Sequence, residues 1–316
     1  MAALQQGAIV VDRSDRRRWS IAGDKASDVI NGLVTNDVSR LNDGSGCYAA
    51  ALTPKGKVVA DLRIFRSTDG FLVDTSSAAG PGWAEILRKY VNPRIAKYAD
   101  VSRHTVDVTV AGPAASRILA ETLDLQESML AAQAAFDHLA LGAWPSIALR
   151  TPEIGHPAYD VLLPAGERDA IVARFLAAGA ITGKTETWDV ARIAHAWPEW
   201  GRDMDDNTLA QEADLDRLGA ISYDKGCYTG QETVARVHFR GHVNRHLRRA
   251  TFAADVEVPA GVELHHDGKP VGEVRSSALT PEGGVAIAMV RREVAGPSVL
   301  RALWNGSEAD VLIEAD

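Results

Sequence analysis

The sequence predicts an α+β protein that ends in a small antiparallel β-barrel. Three observations carry this. The chain has 316 residues, more than the roughly 100–200 that one core usually organises, so two or three packed parts are expected. Strand-like and helix-like stretches interleave irregularly up to about Arg245, as in a pair of α+β subdomains and unlike a regular parallel sheet. From Val258 to Asp316 only short strand-like runs remain. They are separated by Asp267-Gly268, Glu282-Gly283-Gly284 and Asn305-Gly306, turns whose residues tolerate positive φ.

In chain order, Asp24 is placed to cap a short helix over Ala26–Asn31 that Gly32 would stop. Gly46–Leu52 and Lys57–Phe65 read as strands joined by the turn Thr53-Pro54-Lys55-Gly56. Asp69-Gly70 is a hairpin signal before Phe71–Thr75, and Pro81 suits the first position of a helix reaching Tyr90. Val106–Val110 reads as a strand and Pro113–Thr122 as a helix. Strands follow at Ile147–Arg150 and Tyr159–Leu163, a helix over Glu167–Ala178 stopped by Gly179, and a helix over Asp189–Trp197. Three parts are expected: residues 1–110 and 111–244 as interlocked subdomains, and 245–316 as the barrel.

Composition narrows the function. Hydrophobic residues make up 46% and charged residues 24%, with no low-complexity tract. No apolar run approaches the ~20 residues of a membrane span, and the N-terminus lacks the pattern of a secretory signal. The two cysteines, Cys47 and Cys227, lie far apart and form no CxxC metal site, so a reducing cytoplasm is expected. A net charge of −8 argues against broad nonspecific nucleic-acid binding. GxGxxG after a strand, GxxxxGK[ST], GxSxG and HExxH are all missing, which removes the nucleotide, hydrolase and zincin routes.

The run Lys225-Gly226-Cys227-Tyr228-Thr229-Gly230-Gln231-Glu232 stands out. Thr229 and Glu232 have capping-box spacing, so a helix is expected to start at Gly230 and run toward Val237. Cys227 would then sit just before a helix N-terminus, close to Lys225, and both would favour a reactive, partly exposed thiolate. Read alone, the same run also serves as a tight turn and cap.

This octapeptide resembles the KGCYxGQE signature of the YgfZ family, whose mitochondrial relatives serve late iron–sulfur assembly. Two further stretches resemble that family's pattern, Asn31-Gly32-Leu33-Val34-Thr35-Asn36-Asp37-Val38 and Ala51-Leu52-Thr53-Pro54-Lys55-Gly56-Lys57. A third is Pro270-Val271-Gly272-Glu273-Val274-Arg275-Ser276-Ser277. The resemblance extends over essentially the whole chain. It implies the three-part, cloverleaf-like fold of the glycine-cleavage T-protein, with a central channel for tetrahydrofolate.

The resemblance also assigns residues. Of the T-protein's acidic pair, one position is Ala60 and the other Asp61. Its YTGEDG stretch falls on Glu153–Ala158, which puts His156 in place of the pterin-contacting Glu. Its RLEAG motif becomes Arg192-Ile193-Ala194-His195-Ala196, keeping the Arg and losing the Glu. The folate-binding candidates are thus Asp61, Arg192, His156, Tyr228 and Gln231, and the candidates for chemistry are Cys227 and Lys225. Each has a structural alternative: Asp61 as a solvent-facing strand residue, Arg192 paired with Asp189, and His156 and His195 as structural histidines. Trp188, Trp197 and Trp200 suit core packing.

Residues Arg236–Arg249 form a basic run in an acidic chain. They suit a solvated face, or a dock for a polyanion such as a folate polyglutamate tail or RNA. His238, His242 and His246 are not expected to hold a metal, because Gly241 interrupts their helical spacing. Two functions compete. One is a tetrahydrofolate-binding accessory factor for iron–sulfur proteins, including radical enzymes that modify tRNA. The other is a folate-dependent aminomethyl- or methyltransferase, which the alanines at 60 and 194 disfavour.

Overall fold

A computed structural model describes residues 1–253 and 256–315. Of the predicted barrel span, residues 254–255 and Asp316 lie outside the described residues. Two sheets and a barrel make up the three parts. The first sheet orders its strands Gly46–Leu52, Val58–Ser67, Gly70–Thr75, Arg17–Ala22 and Lys97–Asp100. The second orders Ile181–Thr182, Ile9–Asp12, Thr105–Ala111, Ala158–Pro164, Ile147–Arg150 and His138–Ala140. All its pairings are antiparallel except that between Ile9–Asp12 and Ile181–Thr182. The barrel closes when Arg245–Phe252 pairs with Gly283–Arg291 on one side and Ser307–Ile313 on the other. The predicted turns at Asp267-Gly268 and Asn305-Gly306 are left-handed at both residues.

Several expectations shift. Strand Ile9–Asp12 belongs to the second sheet, and position 110 falls inside strand Thr105–Ala111, so a division at 110/111 does not follow the sheets. The helix Ala26–Leu33 passes through Gly32 and makes no side-chain cap bond at its start, so Asp24 does not cap it and Gly32 does not stop it. It ends because Val34 turns extended and bridges to Ala51. The helix expected at Asp189–Trp197 runs Thr185–Ala194, and Ala196 at φ 55° ends it.

Strand periodicity decides what each sheet presents. Along Val58–Ser67, Ala60, Leu62 and Ile64 pack with Ile30 and Trp83 on the helix side. The alternate residues Asp61, Arg63 and Phe65 take the other face. In Thr105–Ala111 and Ala158–Pro164, the set Val106, Val108, Val110, Tyr159 and Val161 packs against the helix residues Ile118 and Phe175. Asp107, Thr109 and Asp160 take the opposite face, toward the first sheet. A further core joins all three parts, with Tyr48 and Phe65 from the first sheet, Leu149 and Leu162 from the second, and Leu247 and Ile287 from the barrel.

Between the sheets lies a buried ion cluster. Arg63 donates through Nε to Asp74 at 2.7 Å, through Nη1 to Glu153 at 3.1 Å and to Asp160, and through Nη2 to Asp107 at 3.3 Å. Arg13 adds a bond to Glu153 at 2.6 Å, and Arg16 one to Asp74 at 2.7 Å. Burial drives the Asp74 carboxyl upward in pKa, yet Arg16, Arg63 and Arg18 outweigh it and hold the group well below the carboxylate range. Asp107 is pushed up to about 7, by burial and then by repulsion from Asp160.

Removing one member of such a set leaves uncompensated buried charge, at a cost of about 3–5 kcal/mol. Arg63→Met is therefore expected to lose that much stability in urea denaturation at pH 8. Without Arg63 the orphaned carboxylates have raised folded-state pKa values, so they protonate as pH falls and the deficit shrinks by pH 5. An equal deficit at both pH values would contradict this reading of the cluster.

Candidate functional site

Beside the ion cluster a cavity of about 220 Å³ opens between the two sheets and the segment from Thr185 to Arg202. Asp61 lines it, opposite Ala50 in the strand register. Tyr48 Oη donates to Asp61 Oδ2 at 2.9 Å, while Asp61 Oδ1 is buried without a protein partner among the described residues. Burial pushes the Asp61 carboxyl up to about 6, against the opposing pulls of Arg16 and the Tyr48 hydroxyl. Asp61 can thus accept a hydrogen bond from a bound molecule or hold a proton near neutral pH. Trp188 and Trp197 supply apolar wall; the Arg13 guanidinium lies 4.0 Å over the Trp188 ring.

Arg192 also lines the cavity, but its donors are committed to protein. Nε reaches Asp189 at 2.6 Å, and Nη1 reaches Asp203 at 2.6 Å and the Trp197 carbonyl at 3.1 Å. It shapes the wall by holding the turn after its helix. The same turn contains Ala196 at φ 55°, the left-handed region that favours glycine; the resembling RLEAG motif carries glycine there.

His156 is not among the residues lining this cavity. Glu153, three residues earlier, is, bound to Arg13 and Arg63. Glu186, Asp189 and Glu199 add further carboxylates. The residue expected from the stretch Glu153–Ala158 was His156, and Glu153, which does reach the cavity, was missed. Arg13, Arg16 and Tyr48 were also missed. A run of arginines between two short strands reads as solvated surface until the facing acids of the second sheet are known.

The octapeptide lies elsewhere, on the end of the hairpin that carries Asp61. Lys225 Nζ donates to the carbonyls of Asn31 at 2.6 Å, Val34 at 2.7 Å and Asn36 at 2.7 Å. All three donors of the ammonium are used, none on Cys227, so Lys225 is a positioning residue for the loop. Burial lowers its pKa to about 8, against the pulls of Asp37 and Cys47. The same loop is fastened by Thr35 Oγ1 to the Ala220 carbonyl at 2.6 Å and by Asn36 Nδ2 to Gly219 at 2.8 Å. Cys227 is exposed, as expected.

The expected capping box does not form. The helix runs Gln231–Arg240 with Gly230 as its N-cap at φ 86° and no side-chain cap bond. A Cβ at Gly230 would lie 2.6 Å from the Thr53 carbonyl oxygen, and one at Gly56 would lie 2.8 Å from Thr233 Cβ. The helix start is therefore set by docking on the Thr53–Gly56 turn, and only glycine fits that approach. Tyr228 is buried with the Lys225 ammonium 5.1 Å from its ring, and Gln231 opens the helix; neither lines the Asp61 cavity. His238 stacks on Tyr223 at 3.6 Å, and no group of metal-ligating side chains occurs among the described residues.

Comparison with known proteins now bears on this site. A family model described as the GCVT N-terminal domain matches residues 1–225. The chain is 30% identical over 284 residues to the tRNA-modifying protein YgfZ of Escherichia coli O157:H7, covering 86% of this chain and 82% of that one. The chain belongs to the YgfZ family of T-protein-like proteins. The YgfZ of Shigella boydii serotype 4 is 29% identical with the same coverage. A chloroplastic protein of Arabidopsis thaliana is 26% identical over 275 residues, and this chain spans 62% of its length. Among solved structures, the glycine cleavage system aminomethyltransferase T of Bartonella henselae has the same fold. Its TM-score is 0.86 over 99% of this chain and 87% of that one, at 18% identity. Among the described residues, no helix of this YgfZ-family chain is long and apolar enough to cross a membrane.

Two predictions follow from the geometry. Lys225→Met leaves three carbonyls without their charged donor and is expected to cost about 2–4 kcal/mol in urea denaturation, while Cys227→Ser at an exposed position changes stability by under about 0.5 kcal/mol. Equal stability of both variants would refute the positioning role. For Asp61, the folded-state pKa lies above the unfolded one, so the native state binds more protons and wild-type stability falls as pH rises from about 4 to 6. Asp61→Asn removes that loss. It is expected to match wild type at pH 4 and to exceed it by about 2–3 kcal/mol at pH 7.5.

Proposed function

We propose that this YgfZ-family chain is a tetrahydrofolate-binding accessory protein that supports iron–sulfur cluster assembly or repair in other enzymes, among them radical enzymes that modify tRNA. The observation that carries the folate reading is Asp61: a buried carboxylate at a cavity wall, with one oxygen held by Tyr48 and the other without a protein partner among the described residues. A pterin edge presents N–H donors that such an acceptor pairs with, and an unpaired buried polar group costs about 1–3 kcal/mol. Trp188 and Trp197 offer apolar faces, and Arg202, half-exposed at the rim, suits the carboxylates of a glutamyl tail. When bound, tetrahydrofolate supplies a nitrogen able to carry a one-carbon unit.

Cys227 is assigned the client-facing role. Its thiol is exposed on a loop fixed by Lys225 and Gly230, outside the lining of the folate cavity. Both cysteines are free, which suits a reducing cytoplasm. The tRNA-modifying description of the bacterial relatives agrees with a client set of that kind, and the basic run Arg236–Arg249 offers a place where such a client's RNA would meet the chain. The transferase reading draws on the shared fold and on Asp61's raised pKa, of about 6. Alanines at 60 and 194 weigh against it.

Fluorescence titration with tetrahydrofolate tests both halves. Wild type is expected to bind saturably and Asp61→Leu to bind at least about tenfold more weakly, the loss of one hydrogen bond to a charged group. Cys227→Ala is expected to bind as wild type does and yet fail to restore iron–sulfur enzyme activity in cells lacking the protein. Absent binding by wild type would remove the folate reading, undiminished binding by Asp61→Leu would move folate away from the Asp61 cavity, and turnover in a separate one-carbon transfer assay would install the transferase instead.

A further inference from the structure

A second cavity, of about 280 Å³, lies between the barrel and the segment Ala213–Arg217. It shares a wall with the first. Pro198 lines both cavities, with Trp197 and Glu199 on the Asp61 side and His195 and Ala196 on the other. Its lining collects His195, Arg217, His246, Arg248 and Arg249, and among the described residues its acid is Asp214. Asp214 is itself engaged by Arg217 Nε.

We infer that this cavity is an anion site for a compact phosphate-bearing ligand, bound by Arg217, Arg249 and His195. The donors argue for it. Arg217 uses Nε on Asp214 and leaves both terminal nitrogens without a protein partner among the described residues. Arg249 donates through Nε to the Ala194 carbonyl at 2.7 Å and through Nη1 to Glu314, which leaves Nη2 without a partner among the described residues. No hydrogen bond of the His195 imidazole occurs among the described residues, and burial and then the charges of Arg217, His156 and Arg249 hold its pKa below the usual value. Burial is the larger part of that depression, and the neighbouring charges of Arg217 and Arg249 add to it. That positive charge is local, since the chain as a whole carries −8.

These donors come from three separate segments: the helix end at His195, the loop at Arg217 and the barrel strand at Arg249. Converging donors suit a tetrahedral oxyanion better than a planar carboxylate, and guanidinium groups pair phosphate in forked geometry. At about 280 Å³ the space lies at the small end of ligand pockets, which fits a phosphate or pyrophosphate group. The phosphate can be free or part of a nucleic-acid backbone, and the two are separable by experiment.

Calorimetric titration with pyrophosphate and with a twelve-nucleotide polyuridylate, at one fixed ionic strength, tests the site. Wild type is expected to bind at least one of them saturably. Arg217→Gln and His195→Gln should each weaken that ligand about tenfold or more, while Arg117→Gln, on the exposed face of the helix Ala115–Leu123 and outside both cavities, should leave it within about twofold. Arg217 is more than half exposed, so its variant should fold as wild type does, which thermal melting checks. Proton NMR of His195 adds a second readout: its pKa should rise when the anion is present. The tighter of the two ligands identifies the source of the phosphate. Absence of saturable binding by either ligand, or equal weakening by Arg117→Gln, would overturn the inference. Tetrahydrofolate affinity in the same Arg217→Gln variant should be unchanged, which keeps this site separate from the Asp61 cavity.

Discussion

One guanidinium holds the two sheets at their working separation. Arg63 lies on the inner face of its strand and meets acids from both sheets: Asp74 from its own, Asp107 and Asp160 from the other, and Glu153 from the loop joining two strands of that second sheet. Apolar packing alone would let the sheets slide, because hydrophobic contact is non-directional. A buried fork with four carboxylate partners fixes register and distance, since any displacement would leave a charge without its counter-charge. The cavity follows from that spacing. Asp61 is two residues from Arg63 and so shares its face, and Arg13 and Arg16, held by Glu153 and Asp74, form neighbouring wall.

A second constraint separates the sites. Three of the four stretches that resemble the family's pattern, at residues 31–38, 51–57 and 225–232, dock on one another. The Lys225 ammonium takes three carbonyls of the first, and Gly230 packs on the turn of the second. A motif read as one catalytic signature therefore has a structural majority. Lys225, Tyr228, Gly230 and Gln231 build and anchor a loop, and Cys227 is what the loop presents. Asp61 and Cys227 are connected through the hairpin Gly46–Ser67, since Asp61 lies within its second strand and the Cys227 loop sits on its turn. The shared wall at 195–199 gives the cavity a second neighbour, the basic pocket.

Much of this was legible beforehand where local chemistry decides. The hairpin turns at Asp267-Gly268 and Asn305-Gly306 announce themselves through residues that accept positive φ, and the barrel follows from their spacing. The resemblance marked Asp61 and Arg192, and both line the cavity. What stayed hidden depends on partners distant in sequence. Strands Ile9–Asp12 and Arg17–Ala22 flank a cluster of charges that looks like surface until Asp74, Asp107 and Glu153 arrive from elsewhere in the chain. The helix after Ala26 runs past Gly32 because its terminal carbonyls are satisfied by a lysine some 190 residues away. Thr229 has the spacing of a cap, but a left-handed Gly230, required by the docked turn, takes the capping position. His156 stays outside the cavity lining, because nothing in a loop sequence fixes which residue faces inward.

The claim on which the rest turns is that folate and thiol occupy different places. Hydrogen–deuterium exchange with and without saturating tetrahydrofolate tests it directly. Slower exchange is expected in the cavity segments 13–16, 76–77 and 185–202, with residues 225–232 unchanged. Slowing confined to 225–232, with the cavity segments unaffected, would contradict it.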